Sequence, residues 1–130
     1  VGSREGGSLA FLQPLPPARP GDAKYAGKCV MLIDERTQSQ AEHTGLFLEA
    51  ACGVTFVGGQ TAGANGDVTN VVLPGGVTVY FSGHDVRHAD GRQLQRVGLV
   101  PHVEARPTLA GLRAGRDEVL DRGVRAVTGE

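Results

Sequence analysis

The segment Thr37-Gln38-Ser39-Gln40-Ala41-Glu42-His43 brings a hydroxyl, a carboxylate and an imidazole within one helical turn. At a helix start, free backbone N–H groups and the helix dipole favour negative charge. A serine there can attack a carbonyl, with the Gln40 N–H placed to hold the oxyanion that forms. This is the physical arrangement of a nucleophile elbow. The same residues have a structural reading. Ser39-x-x-Glu42 and Thr37-x-x-Gln40 both have capping-box spacing, and local pattern alone favours a cap over a nucleophile. His43 lies one turn after Ser39 on the same face, where side chains lean toward the N-terminus. No third group at this spacing orients it as a base, so a packed or capping role is favoured. His84 and His88 with Asp85 and Asp90 lack metal-motif spacing and read as a solvated loop.

The elements that must position this segment are legible around it. Cys29-Val30-Met31-Leu32-Ile33 is a continuous apolar run, expected as a strand buried on both faces. A helix is expected from about Ser39 to Ala51. Ala41, Leu48 and Ala51 form its apolar face, broadened by Leu46, Phe47 and Ala50. Gly53 closes it, and Val54-Thr55-Phe56-Val57 is a second strand. This strand-helix-strand unit has the length of a right-handed parallel crossover. A glycine-rich loop follows over 58–66. Val68 to Leu73 and Val77 to Phe81 flank Pro74-Gly75-Gly76, a hairpin signal. A polar loop runs from Ser82 to Arg96. Val97 to Val103 is short, apolar and broken by Pro101. A closing helix starts near Asp117, with Leu120, Val124 and Val127 at i, i+4 and i+7. Ser8 to Leu12 is expected as one helical turn, and Pro14, Pro16, Pro17 and Pro20 then form an extended connector.

Composition narrows the classes. The chain has 130 residues, enough for one core, with 20 Gly and 7 Pro. That is about a fifth of the chain, against roughly 12% in average usage, so tight turns are frequent. The glycines have no three-residue period, which excludes collagen. Lys+Arg 13 against Asp+Glu 14 gives a net charge of −1. With both signs spread along the chain there is no basic stripe for nucleic acid or anionic lipid. No apolar stretch approaches the ~20 residues of a membrane span. Two cysteines make no disulfide framework, and Cys29 and Cys52 read as small buried hydrophobes.

The run Val30-Met31-Leu32-Ile33-Asp34-Glu35-Arg36-Thr37-x-Ser39-x-Ala41-Glu42 resembles the nucleophile segment of the C-terminal processing (tail-specific) serine peptidases. That family includes the tricorn core and the interphotoreceptor retinoid-binding protein modules. Val57-Gly58-Gly59-Gln60-Thr61-Ala62-Gly63 resembles its V-G-E-x-T-x-G loop, and Leu73-Pro74-Gly75-Gly76 its hairpin. Gly98-Leu99-Val100-Pro101-His102-Val103 resembles its G-V-x-P-D-V segment. Asp117-Glu118-Val119-Leu120 resembles the start of its closing helix. The matches run in the family's order over about Lys28 to Val127, some three quarters of the chain.

The resemblance implies an α/β fold: a ClpP/crotonase-like core with a parallel strand-helix-strand unit, a β-hairpin and a C-terminal helix. It implies that Ser39 is the acyl-accepting nucleophile in peptide hydrolysis, with Gln40 N–H in the oxyanion hole. Residues 28–130 are then the C-terminal part of a peptidase catalytic domain. Residues 1–27 are a glycine- and proline-rich lead-in, read as the end of an upstream catalytic segment. Val1 to Gly7 resembles the end of the family's D-x-R-G-x-x-G-G segment, which makes Gly6 the second oxyanion donor. No cofactor or metal is expected. The partner is a polypeptide substrate, and a homodimer covering exposed apolar edges is expected. The family resemblance points to a bacterial extracytoplasmic or periplasmic location.

Three departures matter. Dyad members carry a lysine base as T-x-G-K-G, whereas Thr61-Ala62-Gly63 is followed by Ala64 and Asn65. The only lysines are Lys24 and Lys28, so the usual Ser–Lys mechanism is excluded. Tricorn-like members use Ser with His and an acidic orienter, and the acidic position is Gln95 here. Glutamine accepts a hydrogen bond from imidazole but brings no charge to stabilise imidazolium. The family's histidine lies upstream of these residues, so the isolated chain is expected to be inactive. The competing reading is a non-catalytic module binding a hydrophobic ligand or peptide on the same fold.

Overall fold

A computed structural model describes residues 25–129, together with the backbone of 2–3 and 9–10. Strand β1 (Gly2–Ser3) pairs antiparallel with β2 (Leu9–Ala10). Leu9 and Ala10 are therefore strand, not the helical turn expected of Ser8 to Leu12: their backbone groups are taken by Gly2 and Ser3 across the pair. The proline-rich connector lies outside the described residues.

The next three elements are the strand-helix-strand unit: β3 (Val30–Ile33), α1 (Gln40–Cys52) and β4 (Thr55–Gly58). β3 and β4 are parallel, from Val30 opposite Thr55 to Ile33 opposite Gly58. Gly53 takes the left-handed conformation (φ 61°, ψ 47°) and its N–H returns to the Glu49 carbonyl, ending α1 as a C′ glycine does. β5 (Val68–Val72) and β6 (Thr78–Ser82) form an antiparallel hairpin, Val68 opposite Ser82 and Val72 opposite Thr78. β7 (Val103–Glu104) adds in parallel beside β4, giving the order β3-β4-β7. The fold is thus α/β, as expected.

Two helices close the chain. The short α2 (Leu109–Arg113), which no pattern signalled, is capped by Thr108, whose hydroxyl accepts from the Gly111 N–H. α3 (Glu118–Thr128) is capped by Asp117, which accepts from the Leu120 N–H. The Leu120, Val124 and Val127 stripe of α3 stays substantially exposed. The helix instead meets β3 through Gly123, where a Cβ would stand 2.7 Å from the Leu32 side chain.

The core is small: Ile33, Leu46, Val54, Phe56, Leu94 and Leu99 pack together, with Cys29, Met31, Leu48 and Val86 against them. Each fully buried aliphatic side chain stabilises the fold by about 1.5–3 kcal/mol. The expected faces need correction. Within β3 only Ile33 is fully buried: Leu32 faces α3 at Gly123, which brings no side chain to cover it. The inward face of α1 is Glu42, Gly45 and Leu46, while Ala41, Ala50 and Ala51 are exposed. Gly45 faces inward because a Cβ there would meet Leu99 Cδ1 at 2.4 Å. A charge and a glycine on the core side hide the face from any apolar count. The hairpin is exposed on both faces, including Val68, Val72 and Tyr80. Among the described residues no helix is long and apolar enough to cross a membrane.

Candidate active site

Ser39 stands where β3 hands the chain to α1. Thr37 N–H donates to the Asp34 carbonyl (3.0 Å), and Asp34 Oδ1 accepts the backbone N–H of Arg36 and Thr37, each at 3.0 Å. Thr37 Oγ1 in turn accepts the Asp34 N–H. This local turn reverses the chain within four residues. The hydrogen bond from the Arg36 guanidinium, before other causes, holds the Asp34 carboxyl below its usual range. Asp34 therefore stays ionised and keeps accepting.

Ser39 emerges from that turn with φ 53° and ψ −120°. This is a sparsely populated backbone region for a residue with a Cβ, and holding it costs about 1–3 kcal/mol. Ser39 and Glu42 have the capping-box arrangement: the Glu42 carboxylate accepts the Ser39 N–H, and the Ser39 hydroxyl faces the Glu42 N–H without a close hydrogen bond. Gln40 is the first residue of α1, and among the described residues its N–H has no hydrogen-bond partner. A free donor therefore sits beside the Ser39 hydroxyl, at the positive end of a helix of 13 residues.

Glu42 holds this arrangement in place. Its side chain is fully buried, and its carboxylate accepts four hydrogen bonds. Oε1 accepts from Thr61 Oγ1 (2.5 Å) and Gly63 N–H (2.7 Å). Oε2 accepts from Ala64 N–H (3.0 Å) and Ser39 N–H (3.2 Å). Ser39 N–H also reaches the Ala64 carbonyl, and Ala62 N–H the Thr37 carbonyl. The glycine-rich loop after β4 is thus fastened to the serine turn. Gly63 has φ +64°, and a Cβ there would stand 2.8 Å from Val97 N, so this position needs glycine. Glu42 was legible only as the second half of a capping box; the loop it grips lies some twenty residues along the chain.

A cavity of about 330 Å³ opens beside Ser39, walled by Gln40, His43, Phe47, Asn65, His84 and Val86 among others. His43 packs its ring edge on Phe47, with centroids 4.8 Å apart, and its Nδ1 lies 3.3 Å from the Asn65 side-chain amide. His43 and Ser39 therefore share one cavity wall, and the group on His43 is an amide. A larger cavity of about 690 Å³ lies at the C-terminal ends of β3 and β4, lined by Asp34, Arg36, Arg106 and Arg116 among others. It takes in the turn at 34–37 but not Ser39.

Gln95 is half-buried, outside the lining of the Ser39 cavity, and among the described residues its buried Oε1 has no hydrogen-bond partner. The next residue, Arg96, donates its N–H to the Gly63 carbonyl at 2.7 Å, which fixes Gln95 to the loop that Glu42 holds. Gly6 lies outside the described residues. His88 is not solvated as expected: it is buried, with Nδ1 against Glu49 Oε2 at 2.5 Å, while Arg92 donates to Glu49 Oε1 at 2.8 Å. That network ties the 82–96 loop to α1. Among the described residues no cluster of three or more His, Cys, Asp or Glu is arranged to hold a metal.

The model of peptidase family S41 matches residues 5–105. Among curated proteins no match is found. A crystal structure of a "putative peptidase" from Parabacteroides merdae ATCC 43184 superposes with TM-score 0.72 at 20% identity, over 82% of this chain and 34% of that one. Mature CPAF complexed with lactacystin gives TM-score 0.68 at 27% identity, over 86% of this chain and 23% of that one. Mature CPAF gives 0.58 at 26% identity, over 75% and 19%. The chain thus spans about a third or less of the length of these structures.

Proposed function

Because this chain belongs to peptidase family S41, we propose that it carries the nucleophile of a serine peptidase, Ser39. The observation that carries the assignment is the Ser39 backbone. Ordinary N-caps sit in the extended region, as Thr108 (φ −101°, ψ 156°) and Asp117 (φ −95°, ψ 92°) do here. Ser39, at φ 53° and ψ −120°, does not. A strained backbone persists only where its surroundings hold it, and such strain clusters at active sites.

In this reading Ser39 Oγ attacks the scissile carbonyl while its proton passes to a histidine. The oxyanion takes the Gln40 N–H, with Gly6 as second donor. The C–N bond then breaks, the amine leaves with the proton from the imidazolium, and water releases the acyl group. The resemblance implies that this histidine belongs to another segment of the family's catalytic domain. Gln95 orients that imidazole: its unpartnered Oε1 is an acceptor awaiting an N–H. Substrates in this reading are polypeptides. Self-association through the exposed apolar hairpin belongs to the same reading, and a monomer by light scattering at high concentration counts against it.

One observation favours the second reading, a non-catalytic binding module. Gln95 and Ala64 remove the charge of both the acidic orienter and the lysine. Fluorophosphonate labelling of the full-length protein separates the two. Labelling abolished by Ser39→Ala is expected. No labelling where family peptidases react, or labelling unchanged by the substitution, sinks the peptidase reading.

A further inference from the structure

We propose that the larger cavity, of about 690 Å³, takes an acidic side chain of the polypeptide substrate, and that Arg106 and Arg116 bind its carboxylate. The cavity has no part in the chemistry assigned to Ser39. Its walls include residues that follow each of the three parallel strands: Asp34 after β3, Gly59 after β4 and Arg106 after β7. The crevice beyond the carboxyl ends of such strands is where α/β sheets take ligands. Leu32, Leu112 and Val119 give it an apolar side for the methylene stem of the bound residue. Neither cysteine lines it; Cys52 is exposed and Cys29 half-buried, which corrects the expectation of two buried hydrophobes.

Three carboxylates and three guanidinium groups line the cavity. Asp34 and Arg36 hold each other, through Arg36 Nε at 3.1 Å and Nη2 at 2.9 Å. The charge of Glu35 falls on the same Arg36. Asp117 accepts the Leu120 N–H at 2.9 Å as the cap of α3. Arg106 and Arg116 remain: among the described residues neither guanidinium has a hydrogen bond or an ion pair. Arg116 acts from a distance on Glu118, whose carboxylate already accepts the Thr108 N–H and hydroxyl. The spare charge is therefore positive and forked, the form that grips both oxygens of a carboxylate. That the ligand is a substrate rests on the serine peptidase reading. Thr37 lines this cavity and Ser39 the smaller one. Two residues of chain span at most about 7 Å. An extended polypeptide advances about 3.3 Å per residue, so an acidic residue about two to four positions from the bond held at Ser39 reaches the arginines.

Fluorescence anisotropy with the full chain is the test, using a labelled peptide of alternating alanine and glutamate and its alanine–glutamine counterpart. The glutamate peptide is expected to bind about tenfold tighter or more, and to weaken as salt rises. Arg106→Gln and Arg116→Gln, with circular dichroism checking their fold, should each lower its affinity by about tenfold. Arg122→Gln removes the same charge from α3 outside the cavity and should change affinity by less than about twofold. Equal binding of the two peptides, binding of neither, or an Arg122→Gln loss as large as those of the cavity variants would overturn the proposal. Binding is read without turnover, so it stands apart from fluorophosphonate labelling. Labelling with no preference for glutamate overturns this proposal alone. Glutamate-selective binding without labelling overturns the peptidase reading and leaves an acidic-polypeptide site.

Discussion

The backbone N–H of Ser39 donates to the carboxylate of Glu42, three residues ahead, while three further donors from 61–64 fill the same carboxylate. One buried side chain therefore fixes the serine turn to the loop after β4. Glu42→Gln keeps the shape but turns one acceptor into a donor among donors. The expected loss is about 2–4 kcal/mol, read as a lower urea midpoint at unchanged slope. A midpoint equal to the wild type would mean that the four hydrogen bonds do not hold the loop.

Ser39 tests backbone strain directly. At φ 53° a glycine relaxes where an alanine cannot. Ser39→Gly should be more stable than Ser39→Ala by about 1 kcal/mol, after the unfolded-chain entropy of glycine is set against the relief. Paired chemical denaturation curves give the difference. Equal stabilities would remove the strain argument from the assignment of Ser39.

Gly63 and Gly75 both have positive φ but stand in different surroundings. A Cβ at Gly63 lands under 3 Å from the backbone of Arg96, Val97 and Gly98, whereas one at Gly75 meets nothing within 4 Å. Gly63→Ala is expected to cost about 2–4 kcal/mol, and Gly75→Ala only about 1 kcal/mol, the conformational part alone. Thermal melts of the two variants side by side check the ordering.

Acid should loosen the 82–96 loop through Glu49. Burial works against its charge, but hydrogen bonds from His88 and Arg92 outweigh that and leave its carboxyl below the usual range. A carboxyl depressed on folding contributes stability that is present above its unfolded pKa, about 4.3. That contribution is lost as pH falls through the lower folded value. Glu49→Gln should therefore show a shallower fall in Tm than the wild type between about pH 5 and pH 3. Parallel curves across that window would exclude Glu49 as a source of acid sensitivity.

Much of the scaffold was legible along the chain because its signals are local. Strand β3, the Gly53 stop of α1, the Pro74-Gly75-Gly76 hairpin and the Asp117 cap each rest on a few adjacent residues. The faces were not. Glu42 and Gly45 point inward, and α3 meets β3 through Gly123, so counting apolar residues aimed both helices wrongly. Ala41 and Ala51 are exposed for the same reason.

The sequence by itself determined the order of elements, the absence of any lysine after Lys28, and a serine at a strand-to-helix turn, because residue type and short-range spacing decide these. Only the tertiary structure decided whether that serine is an ordinary cap. Its N–H is held by the Glu42 carboxylate from the first turn of α1 and by the Ala64 carbonyl on a loop that joins it across the fold. Packing between segments distant in the chain leaves no periodic trace in it, and contacts of that kind fix the backbone of Ser39.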